Sequence, residues 1–189
     1  MDKAQRQREV KILRWTRWLH GWMGILLFVL FLIVAATGLL LTWKKNSGGY
    51  ILADTARGST PELAEWRSLD ELTDLAVAYL RDSVDAALDP TLDRIDVRPD
   101  KGVVKYSFEN HYWGLQLDGA TGSLLSADLR RSDFIEQIHD GSILDRELST
   151  AGWIKLVYSS ITGTALLLFS ITGFWLWYGP RRLRNQRRH

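Results

Sequence analysis

Cysteine is absent from the 189 residues of the chain, and histidine is scarce. The absence of thiols excludes thiolate zinc sites, iron–sulfur clusters, disulfides, thiol nucleophiles and haem attached through a C-x-x-C-H motif. The possible nitrogen ligands of a metal are therefore few: His20, His111, His139 and His189. Redox or metal chemistry in this protein must consequently use these side chains, other non-thiol ligands, or a cofactor bound without a covalent link.

Charged residues are missing from two long stretches of the sequence. Residues 25–41 are apolar except for a Thr-Gly pair, and residues 156–178 contain no Asp, Glu, Lys or Arg. Stretches of this length span the hydrocarbon core of a bilayer, which excludes an ordinary soluble globular protein. We therefore predict transmembrane helices over residues 19–43 and 153–178, and a Gly-Pro pair at 179–180 predicts the end of the second helix.

The net charge of +2 conceals a strong asymmetry along the chain. The basic segments 1–18 and 179–189 flank the two predicted helices, whereas residues 44–152 contain 20 acidic and 12 basic side chains. The positive-inside rule then predicts that both termini lie in the cytoplasm and that the central segment lies in the periplasm. The predicted location is the bacterial inner membrane. Basic clusters beside membrane helices are usual, so we expect no nucleic-acid partner.

The central segment divides into three parts. Residues 44–67, rich in Gly, Ser and Thr, predict a linker. Residues 68–130 begin with a capping box, Ser68 and Glu71, followed by helical spacing and then by runs that alternate with a period of two. This pattern predicts one helix and a three- or four-stranded antiparallel sheet. The fold class is therefore an α+β membrane protein, in which two transmembrane helices flank a small extracytoplasmic domain. Residues 131–152 predict an amphipathic segment on the outer surface of the membrane, in contact with membrane lipid.

Five short motifs give the chain a resemblance to known proteins. They are D-x-x-T-G at 118–122, L-H-x-W-x-G at 19–24, T-G-x-x-L at 37–41, an L-H-x-G-like segment at 138–141 and T-G-x-x-x-W at 172–177. The first motif is similar to a turn of the PepSY domain. The other four resemble motifs of the PepSY-associated transmembrane proteins. Larger members of that family have more membrane spans, so the chain resembles a minimal member with two helices.

The family includes membrane-bound reductases of ferric siderophores that hold b-type haem between helices. The resemblance implies that His20 and His139 are axial ligands of non-covalently bound haem b. His20, Gly24 and Gly38 share one stripe of the first helix, and a glycine one turn from His20 leaves room for a flat ring. Arg17, one turn before His20, is within reach of a haem propionate.

Gly173 and Trp177 complete the predicted surroundings of the cofactor. They share one stripe of the second helix, where Gly173 suits close contact and Trp177 suits packing on a macrocycle. The spacing leaves a second interpretation open. Glycine stripes are also typical of close helix packing, and Trp177 is typical of an interfacial anchor. On that interpretation, His20 faces the lipid headgroups and His139 lies exposed on the outer surface.

The two predicted ligands lie at opposite faces of the membrane. About 30 Å of hydrocarbon separates them, so one chain cannot place both on one haem. A homodimer with two-fold symmetry solves this problem, because paired His20 residues hold one haem and paired His139 residues hold a second. In the alternative arrangements, each histidine has a different axial partner, such as Met23 or Tyr158, or another subunit supplies that partner.

Together these features predict a haem b-binding protein that passes electrons across the bilayer. The donor would be quinol or a redox protein, and the acceptor a ferric siderophore or a periplasmic protein, which would make the protein a ferric reductase. The alternative is a membrane-anchored PepSY module without a cofactor, which binds a peptidase or another envelope protein. We expect His111 to be exposed in a strand and His189 to be disordered, without a ligand role for either.

Overall fold

Two long helices contain the predicted membrane spans. The computed structural model describes residues 3–185, in which α1 covers Lys3–Thr42 and α5 covers Trp153–Asn185. Their most apolar 18-residue windows have mean hydropathies of 2.9 and 1.6, and only 6% of each window is buried. Both helices are therefore long and apolar enough to cross a membrane, and little of their apolar surface is covered by the rest of the described chain. The prediction of two transmembrane helices is confirmed.

Both helices extend further than the sequence predicts. α1 begins at Lys3, so most of the predicted basic segment 1–18 is helical. α5 continues through Pro180 to Asn185, so the prediction that the Gly-Pro pair ends this helix is wrong. Proline removes one N–H donor and crowds the carbonyl one turn earlier, but the arginines that follow it have high helix propensity and the helix continues.

The chain forms two compact units. The helical unit comprises the described residues up to Gly38 and from Gln137 onward, and the sheet unit comprises Leu39–Glu136. Two shorter helices precede α5: α3 (Arg131–Asp140) and α4 (Ser142–Leu148). The sheet unit contains the first part of α3 as well as α2 (Leu69–Tyr79) and four strands: β1 (Leu92–Arg98), β2 (Val103–Phe108), β3 (Trp113–Asp118) and β4 (Leu124–Leu129).

The four strands form one antiparallel sheet in the order β1-β2-β3-β4. Tyr106 of β2 pairs with Leu115 of β3, so alternate residues of both strands point to the same face. On that face the sheet packs against α2, and the buried core consists of Leu72, Ala76, Leu80, Val104, Tyr106, Phe108, Leu115 and Leu117. The hydroxyl of Ser68 accepts a hydrogen bond from the Glu71 N–H and caps α2. The predicted helix and antiparallel sheet are confirmed, with four strands.

Asp118 holds the D-x-x-T-G turn between β3 and β4. Its Oδ1 accepts hydrogen bonds from the N–H groups of Ala120 and Thr121 at 2.9 and 3.1 Å. Its Oδ2 accepts from the N–H and the hydroxyl of Ser59 at 2.7 and 2.5 Å. Burial alone would raise the pKa of Asp118, but the bonds from Ser59, Thr121 and Ala120 outweigh burial and lower it. The turn therefore depends on an ionised carboxylate.

The segment predicted as a linker, residues 44–67, is hydrogen-bonded to the sheet. The side-chain amide of Gln116 in β3 donates to the carbonyl of Asp54 at 2.9 Å. Its carbonyl oxygen accepts from the N–H of Ala56 at 3.0 Å. Because Ser59 also binds the sheet, this segment is an ordered part of the sheet unit as well as a connection.

Candidate functional site

His20 of α1 packs against α5. Its Nδ1 lies 2.8 Å from the hydroxyl oxygen of Thr172. Its ring stacks on Phe169, with 3.9 Å between the ring centroids. Its Cε1 lies 3.5 Å from the position that a Cβ would take at Gly173. A hydroxyl, an aromatic ring and a glycine of one helix therefore fix the imidazole of the other.

His139, near the end of α3, packs against α1 in a similar way. Its Nδ1 lies 2.9 Å from the hydroxyl oxygen of Thr37. Its Cε1 lies 3.4 Å from the position that a Cβ would take at Gly38, and the side chain is half-buried. The same arrangement, a histidine against a Thr-Gly pair of another helix, thus occurs twice in the helical unit.

The threonine hydroxyls determine which nitrogen of each ring carries the proton. The hydroxyl of Thr172 donates to the carbonyl of Leu168, and that of Thr37 donates to the carbonyl of Ile33, both at 2.7 Å. With the one hydroxyl proton assigned to that carbonyl, each threonine oxygen accepts from its histidine and Nδ1 is the donor. Nε2 of each neutral ring is then unprotonated. This is the form that binds a metal, and an Nδ1–H held by a second group is usual for ligating histidines.

His111 differs from these two histidines, and the prediction that it is exposed is wrong. Its Nε2 lies 3.0 Å from the carbonyl oxygen of Asp89, and its Nδ1 accepts from the N–H of Trp113 at 3.2 Å. Its ring lies 5.0 Å from that of Phe108. With both nitrogens engaged, His111 orders the connection between β2 and β3 and has none left for a metal. His189 lies outside the described residues.

Gly24 allows close contact between α1 and α5. A Cβ at this position would lie 3.3 Å from Cζ of Phe169, so the missing side chain admits that ring. The same phenylalanine stacks on His20. A role for Gly24 beside a cofactor stays a prediction. Phe169 is a neighbour of His20 that the sequence pattern does not identify.

Contacts with α5 fix the part of α3 that carries His139. The carboxylate of Asp140 forms an ion pair of 2.5 Å with Nζ of Lys155 and accepts a hydrogen bond from the Ser142 N–H. Burial alone would raise the pKa of Asp140, but the interactions with Lys155 and Ser142 outweigh burial and lower it. Gly141 follows with φ of 79°, and a Cβ there would lie 2.8 Å from Cγ of Tyr158.

The two histidine sites are far apart along α1. Thr37, the partner of His139, lies 17 residues after His20 in the sequence. At 1.5 Å per residue this is about 25 Å along the helix axis. The two imidazoles therefore belong to separate sites, as the sequence predicts, and one chain cannot place both on the same iron.

Arg17 and Trp177 were also predicted to face a cofactor. Arg17 lines a groove between α1 and α5. The guanidinium of Arg181 lies 3.9 Å from the ring centroid of Trp177 and occupies one face of that ring. Tyr158, one alternative axial partner, packs beside Gly141. Contact between any of these side chains and a cofactor stays a prediction.

The sequence reasoning missed Thr37 and Thr172 as functional residues. Each stands before a glycine in an otherwise apolar stretch, and polar side chains inside membrane helices usually have a partner. That signal marks them as candidates for an interhelical hydrogen bond. It does not identify the histidine that each one contacts, because the rotation of one helix relative to the next is not encoded in spacing along one helix.

Comparison with known proteins supports the resemblance of the motifs. The family model described as the PepSY-associated TM region matches residues 17–189. This range includes both histidine sites and both Thr-Gly pairs. No curated protein matches the chain.

Proposed function

Because the chain belongs to the PepSY-associated TM family, we propose that it binds haem b in the membrane and passes electrons across the bilayer. The observation that carries this proposal is the pair of His–Thr contacts, His20 with Thr172 and His139 with Thr37. Each contact orients an imidazole and engages its Nδ1, so Nε2 is the nitrogen left to bind a metal. Haem supplies one-electron redox chemistry when it is bound.

The chemistry of these residues fits a non-covalent haem. Each site offers a single histidine nitrogen, which suits an iron that has four macrocycle ligands and needs only axial ones. The threonine hydroxyl holds the ring by accepting a hydrogen bond from its Nδ1–H, so Nε2 is the nitrogen left to bind the iron. The glycine beside each ring, Gly38 or Gly173, leaves the space on the helix surface that the imidazole itself occupies.

We propose a homodimer as the source of the second axial ligand. Two-fold symmetry brings identical residues together, so paired His20 residues would hold one haem and paired His139 residues a second. In this arrangement Arg17 is the proposed partner of a propionate and Trp177 a proposed neighbour of the macrocycle.

The direction of transfer follows from the charge asymmetry. We propose that the basic ends lie in the cytoplasm of a bacterial inner membrane and that the acidic sheet unit lies in the periplasm. The helix, the antiparallel sheet and the Asp118 turn support a PepSY-like domain within that unit. Quinol or a redox protein is the proposed electron donor. A ferric siderophore is the proposed acceptor, which would make the protein a ferric reductase.

The test is an absorption spectrum of the detergent-purified protein, oxidised and then reduced with dithionite, with haem quantified per chain. We expect one haem per chain in the wild type, and half of that amount in His20→Ala and in His139→Ala. His111→Ala is the matched control and should retain full haem content. A colourless wild type from haem-replete cells would contradict the proposal. It would favour the membrane-anchored module, whose sheet unit binds a peptidase or another envelope protein.

A further inference from the structure

A basic groove lies between α1 and α5, on the side of His20 that faces the chain termini. It has a volume of about 470 Å³. Arginines from both helices line it together with apolar side chains: Arg6, Arg14 and Arg17 of α1, Arg184 of α5, and Val10 and Leu183 among the apolar residues. The groove therefore combines concentrated positive charge with apolar surface.

The charge in this groove is not neutralised within the described part of the chain. No acidic side chain is among the described residues that line the groove. Glu9 of α1 is 3.4 Å from Arg182, which does not line it. The other ion pairs between described residues do not involve the four groove arginines either. Because four neighbouring guanidinium groups repel one another, a bound anion would stabilise this end of the helices.

The level of the groove along α1 corresponds to that of lipid headgroups. Arg14 and Arg17 flank Trp15, and both Trp15 and Trp18 are exposed, at 61% and 59%. Exposed tryptophans at the ends of membrane helices lie at the level of the headgroups. The exposed apolar surface that begins at Ile25 lies about two turns further along the helix, where acyl chains would continue.

We propose that this groove binds the phosphate of an anionic phospholipid headgroup. Guanidinium groups bind phosphate oxygens through paired N–H donors, and basic pockets between membrane helices suit anionic headgroups. From Arg6 to Arg17 the groove extends about 16 Å along the helix axis. A headgroup with two phosphates, as in diphosphatidylglycerol, therefore meets more of the arginines than a headgroup with one. The proposal does not rest on haem binding.

Native mass spectrometry of the full-length protein in a mild detergent tests this proposal. The protein is titrated with diphosphatidylglycerol, phosphatidylglycerol, phosphatidylcholine and inorganic phosphate. The test variant is Arg6→Gln/Arg14→Gln. The matched control, Arg8→Gln/Lys11→Gln, removes the same charge from exposed positions of the same helix that do not line the groove.

We expect diphosphatidylglycerol to bind most tightly and phosphatidylcholine least tightly. The test variant loses two basic side chains that attract the headgroup, so it should bind the anionic lipid at least about tenfold more weakly than the wild type. The control should bind the lipid less than about threefold more weakly. Equal weakening in both variants would overturn the proposal, since it would indicate diffuse attraction. Displacement of the lipid by millimolar inorganic phosphate would overturn it as well, because the groove would then hold a soluble anion.

Thermal unfolding in lipid-free detergent provides the check on folding. Both double variants should have the midpoint of the wild type, and added diphosphatidylglycerol should raise the midpoint of the control but not of the test variant. If the test variant does not fold, Arg184→Gln removes a groove arginine from the other helix. Wild-type lipid affinity in that single variant would contradict the proposal.

Discussion

The hydroxyl oxygen of Thr172 lies 2.8 Å from Nδ1 of His20, and Thr37 bears the same relation to His139 at 2.9 Å. In both pairs the threonine hydroxyl donates a hydrogen bond to a backbone carbonyl one turn earlier in its own helix. The threonine therefore acts as an acceptor, keeps the proton on Nδ1 and leaves Nε2 available as a ligand. Two helices of different sequence, α1 and α3, thus present their histidines in the same chemical form.

Replacing Thr172 by valine should weaken haem binding at the His20 site. The substitution keeps the shape of the side chain but leaves the Nδ1–H of His20 without its acceptor. Loss of such an outer partner typically lowers metal affinity by about 10- to 100-fold. Haem titration of the purified apoprotein and the midpoint potential of the bound haem measure the effect.

Thr172→Ser provides the control for that experiment, because it restores the hydroxyl and should restore affinity and potential. The site of His139 has its own threonine and should remain unchanged in both variants. Wild-type affinity and potential in Thr172→Val would show that the hydroxyl only stabilises the contact between the helices.

A large side chain at Gly173 should displace His20. A Cβ at this position would already lie 3.5 Å from Cε1 of the histidine, so the further atoms of leucine have no space while the ring stays in place. We expect Gly173→Leu to lose the haem of the His20 site. Gly163 of the same helix has no heavy atom within 4 Å of its Cβ position, so Gly163→Leu is the matched control. Equal haem loss in both variants would mean that the effect is not specific to the His20 contact.

The features that the sequence predicts well are those set by local chemistry. The apolar stretches predict the two membrane helices, because length and hydropathy decide insertion. Ser68 and Glu71 predict the start of α2, and the alternation around Tyr106 predicts a strand. All three depend on residues close together in the chain.

The features that the sequence does not predict depend on distant residues. Spacing along α1 places His20 and Gly24 on one stripe, but it does not reveal that Phe169 of α5 fills the space beside them. His111 is ordered by the carbonyl of Asp89, 22 residues away, so the local pattern misassigned it as exposed. Pro180 is a different case: the proline predicts the end of α5, but the surrounding helix continues through it to Asn185.

Acid should destabilise the sheet unit through Asp118. Its pKa is lowered in the folded state, so its ionised form contributes stability above the unfolded pKa of about 4. That contribution is lost as the pH falls through the folded pKa. Asp118→Asn should therefore be less stable than the wild type at pH 7, and the difference should shrink as the pH falls below about 4. Hydrogen exchange of peptides from residues 113–129, corrected for intrinsic rates, measures the local stability.

Asp100→Asn is the matched control for this pH dependence, because it also removes one carboxylate from a turn of the sheet unit. Its exchange should follow that of the wild type at every pH. If Asp118→Asn behaves in the same way as the control, the hydrogen bonds from Ser59 and Thr121 do not depend on the charge of the carboxylate.

Gly141→Ala should disturb the site of His139 without disturbing that of His20. Alanine in the left-handed conformation costs about 1–2 kcal/mol, and at Gly141 its Cβ would in addition lie 2.8 Å from Cγ of Tyr158. The collision would push the end of α3 away from α5, and His139 lies two residues earlier. Gly152→Ala is the control, because Gly152 has φ of 87° but no atom within 4 Å of its Cβ position. Thermal unfolding and haem content should both be lower in Gly141→Ala than in the control, and equal values would show that the contact with Tyr158 does not position His139.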